Sequence, residues 1–304
     1  MLELGYIKEF SFYGALPRRI LTYNPGGISI SVGSKWQIGK IRQKEEGKAQ
    51  VATTTILDLM NAGVHFGHKT KRWNPKMKPY IYGVRNGITI FDLTVTMRQL
   101  AAACEYLNEL ASDGKQILFV GAKRQAQECV REIAEKLGMP YMCDRWLGGT
   151  LTNNQVVKTR VEFMKKLEKQ EEDGTLENLP KKEVAGLKRE LTKLQTALGG
   201  IRNLKGLPAA LVVVDVMREH IAVQEAAKLG IPVVAIVDSN CNPDDIEYVI
   251  PGNDDALKAI KVVMDTIYEA IQEGLAISNK KEAKAAEQTE FETVPEKEED
   301  KEEK

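Results

Sequence analysis

The stretch LPAALVVVDVMREHIAVQEAAKLGIPVVAIVD (Leu207–Asp238) contains one complete strand, helix and strand unit. Ala210 to Asp215 and Val233 to Asp238 are short, unbroken apolar runs rich in Val, the pattern of strands buried on both faces. Between them Arg218 to Leu229 reads as a helix closed by Gly230, a residue suited to a left-handed cap, and Ile231-Pro232 restarts the chain. The same punctuation recurs upstream. Ile117 to Gly121 (ILFVG) leads into a helical pattern over Gln125 to Leu137, then Gly138 and Met139-Pro140. A third helix is expected over Asp254 to Glu273, closed by Gly274, with further strands at Gly87 to Asp92 and Ile246 to Ile250. Strands alternating with helices across short connections predict an α/β fold with a doubly wound parallel sheet and helices on both sides.

One segment breaks this rhythm. Asn154 to Lys169 and Lys181 to Leu198 are two long charged helical patterns, separated by a turn that contains Gly174 and ends at Pro180. Val184, Leu187, Leu191, Leu194 and Leu198 follow a 3-4-3-4 spacing, and Val157, Val161, Met164 and Leu167 offer a facing stripe. That arrangement predicts an antiparallel coiled-coil hairpin inserted at about 154–198. Its many charges read either as a solvated surface or as a brace against a partner.

The chain has 304 residues, 43% of them apolar, enough for one or two domains with a sizeable core. Forty-three basic side chains balance forty-three acidic ones, so any polyanion site must be local. Residues 1–50 carry eight basic and four acidic side chains, and residues 276–304 carry six and ten. The tail from Ser278 to Lys304 is nearly devoid of apolar residues and is expected to be disordered, leaving 51–275 as the folded domain. Four Cys, at 104, 129, 143 and 241, form no C-x-x-C pair, which argues against a zinc ribbon or a disulfide scaffold and favours a reducing cytoplasm. No apolar run approaches the roughly 20 residues of a membrane span, and Glu3, Lys8 and Glu9 stand where a secretory signal would need a basic and then an apolar stretch.

The strongest chemical signal lies between residues 63 and 91. Those 29 residues contain no Asp or Glu, yet they hold Lys69, Lys71, Arg72, Lys76, Lys78 and Arg85, interleaved with Phe66, Trp73, Tyr80, Tyr82 and Phe91. Cations meet phosphates while aromatic faces pack on sugars or splayed bases, which is the chemistry of RNA binding. The competing reading is a basic loop whose aromatics belong to the core. His65 and His68 are three apart in HFGH, but Gly67 lies between them and no Cys, Asp or Glu follows within twenty residues, so no zinc is expected. His220 reads as structural. In a doubly wound sheet ligands bind at the carboxyl ends of the strands, where Lys123, Asp144, Asp215 and Asp238 fall. An enzyme acting on a phosphorylated substrate is therefore the rival class. Against it, the turn after Val120 lacks both the dinucleotide glycine spacing and the phosphate-loop spacing.

DLMNAGVHFGHKTKRWNPKMKPYIYGVRNGITIFDL (Asp58–Leu93), RWLGGTLTN (Arg145–Asn153), the stretch Leu207–Pro243 and VIPGNDDALKAI (Val249–Ile260) closely resemble the bacterial small-subunit ribosomal protein two family. The resemblance covers about Ala52 to Gly274, the helical hairpin included. It implies a flavodoxin-like sheet with an inserted coiled coil and no catalytic role, cofactor, metal or small-molecule substrate. It also implies binding to small-subunit ribosomal RNA and neighbouring ribosomal proteins, among them the large S-one protein that recruits messenger RNA. On this reading RNA is bound by Lys69, Lys71, Arg72, Trp73, Lys76, Lys78, Tyr80 and Arg85, with Arg145 and Trp146 as further contacts. Family members often carry a second acidic residue shortly after the strand-end aspartate, where this chain reads Asp215-Val216-Met217-Arg218. Residues 1–50 exceed the family pattern. They read either as a real basic extension contacting RNA through Lys8, Arg18 and Arg19, or, preferably, as sequence ahead of a true start at Val51. Lys44-Glu45-Glu46 is encodable as AAG-GAG-GAA, a ribosome-binding sequence four codons before a Val that GTG would encode.

Overall fold

The computed structural model describes Ile20–Asn24, Gly27–Ser31, residues 54–175 and residues 180–292. The chain divides into two units, residues 1–49 and 50–304. In the first, β1 (Ile20–Asn24) and β2 (Gly27–Ser31) pair antiparallel, with Asn24 opposite Gly27. The start-site reading and the RNA contacts assigned to Lys8, Arg18 and Arg19 lie outside the described residues.

The second unit opens with α1 (Ile56–Asn61), whose Thr55 and Asp58 form a reciprocal capping box. A basic arm follows, comprising β3 (Phe66–Lys69), two short 3-10 turns, β4 (Ile81–Arg85) and β5 (Ile88–Phe91). Then come α2 (Leu93–Ser112), β6 (Ile117–Val120), α3 (Gln127–Leu137) and β7 (Tyr141–Met142). The helices α4 (Asn154–Glu172) and α5 (Lys181–Leu198) precede β8 (Ala210–Val214), α6 (His220–Leu229), β9 (Val233–Val237), β10 (Tyr248–Pro251) and α7 (Leu257–Glu292).

Five strands form one parallel sheet in the order β10-β9-β8-β6-β7. Counted along the chain this is the 2-1-3-4-5 order of the flavodoxin-like fold, so the expected architecture is present. The strands are buried on both faces because the pleat sends alternate residues into two cores. Ile117, Phe119, Val212 and Ile236 pack with α2, α3 and α7, while Leu118, Val120, Val213 and Val237 pack with α6, the helix pair and the arm residues Met77 and Phe91. Gly138 and Gly230 cap α3 and α6 in the left-handed conformation, as the punctuation predicts.

The helices α4 and α5 run antiparallel, as the ion pair between Lys188 and Glu171 and the Gln195–Glu168 hydrogen bond show. Val161, Met164, Leu167, Leu191 and Leu198 are buried along the seam and join the second core.

Three elements differ from the sequence expectation. The strand expected over Gly87 to Asp92 forms as β5, but in a separate antiparallel sheet of order β3-β5-β4. Gly274 does not end α7, which continues to Glu292. A Cβ at Gly274 would lie 2.5 Å from the Asn108 carbonyl oxygen and 2.8 Å from Ala111 Cβ, so glycine here lets α7 close on α2. The start of the tail, read as disordered, is helical to Glu292 for a related reason. Lys, Ala, Glu and Gln are strong helix formers, and extending an existing helix carries no nucleation cost.

Gly274→Ala sets two effects against each other. Helix propensity favours Ala by about 1 kcal/mol, but overpacking against α2 costs about 1–3 kcal/mol. The clash with backbone should win, and thermal unfolding should show a lower midpoint. A raised midpoint would mean that the α2–α7 contact does not need the glycine.

Candidate nucleic-acid interface

The carboxyl ends of β6 and β8, where the strand order reverses, are the customary ligand crevice of this fold. Here the chain fills that crevice with its own charges. Lys123, just beyond β6, extends a largely buried ammonium to Asp254 (2.7 Å), Asp255 (2.6 Å) and Asp215 (3.4 Å). Asp215 stands at the end of β8 with φ of 68°, a left-handed conformation that Asp tolerates, and its carboxylate accepts the Arg218 amide. Burial, followed by the charges of Asp215 and Asp238, pushes the Asp254 carboxyl up to about 7 against the pull of Lys123. Burial depresses the Lys123 ammonium, but its hydrogen bonds to Asp254 and Asp255 outweigh this and raise its pKa overall.

The same carboxylates hold the basic arm. His68, on β3, places Nδ1 3.0 Å from Asp238 and Nε2 3.3 Å from Asp255. Its pKa is raised, first by the hydrogen bond to Asp238 and then, against burial, by the charges of Asp238, Asp255 and Asp254. Backbone contacts add to this anchor. The His68 amide donates to Ser239 Oγ at 2.8 Å, the Asn74 amide donates to the Ser239 carbonyl at 2.7 Å, and the Asn253 amide donates to the Val64 carbonyl at 3.1 Å. Gly67 permits the approach, because a Cβ there would lie 2.9 Å from Ser239 Oγ.

Held this way, the arm presents its cations outward. Lys69, Lys71, Arg72, Lys76, Lys78 and Arg85 are all exposed, and among the described residues only Lys76 of this set is paired, with Asp244. The aromatics divide between the two readings of the sequence. Phe66, Trp73 and Tyr82 are 46%, 37% and 81% exposed, whereas Phe91 is buried and Tyr80 packs against the second core. Arg145 is exposed on a separate loop after β7.

Trp146 is a correction. Its ring is buried and its indole N–H donates to Glu225 Oε1 at 3.2 Å, so it supports the loop and offers no face to RNA. Glu225, on α6, also accepts the amides of Gly149 (2.7 Å), Leu151 (3.0 Å) and Thr152 (3.1 Å) and the Thr152 hydroxyl (3.1 Å). Burial would raise the pKa of Glu225, but these donors lower it overall. The run RWLGGTLTN thus folds around one buried carboxylate.

His68, Asp238, Asp254 and Asp255 bring donor atoms within 4.8 Å of one another, but the Lys123 ammonium already stands in contact with Asp254 and Asp255 and supplies positive charge there. Asp215 and Asp238 meet in this network, whereas Asp144 lies apart, 3.8 Å from Arg131. All four cysteines are free, and burial pushes the thiols of Cys104, Cys143 and Cys241 up to about 12 and that of Cys129 up to about 11. Such thiols are poor nucleophiles.

A doubly wound domain whose strand-end crevice is filled by its own ion pairs, and whose exposed chemistry is a basic arm, is of the class of polyanion-binding domains. The family model described as Ribosomal protein S2 matches residues 59–274, and the chain belongs to that family. It is a protein of the small ribosomal subunit, and its family is structural and non-enzymatic.

Two outcomes follow for stability. His68 has a folded pKa above its unfolded value, so its stabilisation is complete below the unfolded pKa and disappears as pH rises through the folded one. Asp254, also raised, acts in the same direction. The urea midpoint should therefore fall as pH rises, through about pH 4 to 7 on account of Asp254 and from about pH 6.5 upward on account of His68, and less steeply above about pH 6.5 in His68→Gln; equal slopes there would show that His68 does not titrate with the fold. Glu225→Ala leaves several buried donors without an acceptor and should cost about 2–4 kcal/mol. Amide exchange at Gly149, Leu151 and Thr152 should accelerate more than exchange in β6, and uniform acceleration would argue against a local role.

Proposed function

We propose that this chain binds small-subunit ribosomal RNA through the arm, with Lys69, Lys71, Arg72, Lys76, Lys78 and Arg85 on phosphates and Trp73 on sugars or bases. The observation that carries this reading is an exposed set of six cations on a segment without a single acidic residue, fixed to the sheet by His68 and Asn74. Rigidity matters because an arm ordered before binding loses little entropy on contact. Arg145 adds a second cationic point on the loop that Glu225 holds.

Protein neighbours have an apolar landing surface on α1, where Ile56, Leu57 and Met60 are exposed. On the family resemblance, these neighbours include the S-one protein, and the chain works in the cytoplasm as part of the ribosome. The heptad spacing of Val184 to Leu198 supports a coiled-coil winding of α4 on α5, which would brace RNA or a neighbouring protein. No cofactor, metal or small-molecule substrate is part of this reading.

The test is Lys71→Glu, Arg72→Glu and Lys78→Glu combined. All three side chains are exposed, so circular dichroism and the unfolding midpoint should stay unchanged. RNA affinity should collapse, its dependence on salt should flatten by about 0.7–0.9 for each phosphate no longer neutralised, and the variant should fail to enter small subunits. Normal entry would remove the arm as the RNA site.

A further inference from the structure

The small antiparallel sheet of the arm has two unlike faces. Residues directly opposite one another on antiparallel strands share a face. Thr89 and Phe91 of β5 point into the core, at 1% and 2% exposure. Ile88 and Ile90 alternate with them and point the other way, half-buried. Phe66 pairs with Ile90 from one side and Gly83 from the other; Lys69 and Arg85 pair with Ile88 in the same manner.

A register irregularity decides this arrangement. Phe66 and Lys69 are three apart in sequence, yet they oppose Ile90 and Ile88, which are two apart. The extra residue in β3 is a bulge that brings the aromatic ring and the ammonium onto one face. Without it the two side chains would point to opposite sides of the sheet.

The outward face therefore consists of two rows. One runs Phe66, Ile90, Gly83; the other runs Lys69, Ile88, Arg85. With strands about 4.8 Å apart, each row spans roughly 10 Å, the scale of one nucleotide. Phe66 is 46% exposed, and its ring is backed by His65 at a centroid distance of 4.0 Å. Burial lowers the His65 pKa, which favours a neutral backing ring. At the other end of the row a Cβ on Gly83 would meet nothing within 4 Å, so the platform is open there.

We infer that this face is a stacking platform for an unpaired base of RNA, with the base on Phe66 and Ile90, its edge over Gly83, and the flanking phosphates on Lys69 and Arg85. Charge selects the occupant. An apolar floor alone would suit a protein partner, but the row beside it is cationic at both ends and residues 63–91 contribute no acid. An exposed ring beside two cations is the combination that binds single-stranded nucleic acid with little dependence on sequence. The inference rests on the RNA-binding reading above and extends it from phosphate contact to base contact.

The full chain is titrated with a single-stranded RNA oligonucleotide carrying 2-aminopurine, whose fluorescence is quenched on stacking. Phe66→Ala should weaken binding about five- to a hundredfold and abolish the quench, at the one-base scale of stacking, while leaving the salt slope unchanged. Phe66→Tyr should restore both, and Phe66→Leu, which keeps apolar area without a ring, should restore neither. Lys69→Ala and Arg85→Ala should each reduce the salt slope by about 1. Gly83→Val should weaken binding by filling the open end of the row.

If Phe66→Ala binds and quenches like the native chain while the Lys71, Arg72, Lys78 variant loses affinity, the platform is wrong and the RNA reading stands. If the native chain and that variant bind the oligonucleotide and enter subunits equally, both readings fall. If Phe66→Ala keeps its RNA affinity but is excluded from small subunits, the face is a protein contact and the inference is overturned.

Discussion

The arrangement of the second unit depends on one ammonium group. Lys123 emerges from β6 at the point where the strand order reverses, and the carboxylates of Asp215, Asp254 and Asp255 converge on it from the ends of β8 and the approach to α7. Without Lys123 these acids, with Asp238 nearby, would repel one another in a poorly solvated crevice, and uncompensated buried charge is among the costliest defects a fold can carry. With it, the carboxylates retain enough negative charge to take up His68 as well. Charge compensation in the crevice is thus also the attachment of the arm.

This explains how a fold often used to bind small ligands can serve as a structural component. The strand ends still carry reactive-looking residues, but these are engaged with one another. The chemistry faces outward instead, on a segment whose own backbone is too irregular to be rigid alone. Its 3-10 turns and short strands become a fixed surface because Ser239 and Asn253, on loops after β9 and β10, accept or donate hydrogen bonds to it.

The parallel sheet was legible because a strand buried on both faces must be apolar at every position, and the Gly and Pro that punctuate Leu207–Asp238 have fixed conformational meaning. The arm's sheet was only partly legible. Asn86-Gly87, with φ of 52° and 74°, is the dipeptide of a tight hairpin turn, a local signal of the β4–β5 connection that the sequence reading passed over. The β3 bulge carries no such signal, and the long helix α2, capped by Asp92, whose carboxylate accepts the Thr94 amide, was not among the expected elements. The cations of the arm were readable from composition, whereas the role of His68 was not. Its partners lie some 170 and 187 positions away, where no local spacing rule reaches. Trp146 shows the opposite error, since an aromatic beside an arginine resembles a nucleic-acid contact until a distant Glu225 is found holding its indole. Gly274 shows that a glycine at a plausible helix end can equally be a place where two helices touch.

The length of α7 has a mechanical consequence. Its 36 residues amount to about 54 Å of helix, beginning beside the Asp255 that grips His68 and passing the end of α2, where Lys281 reaches the Ser112 carbonyl. One continuous helix thus runs from the loop whose carboxylate grips His68 to the far end of α2. Any tilt of α7 against α2 would shift Asp255 relative to His68, so the packing at Gly274 and the seating of the arm are mechanically linked.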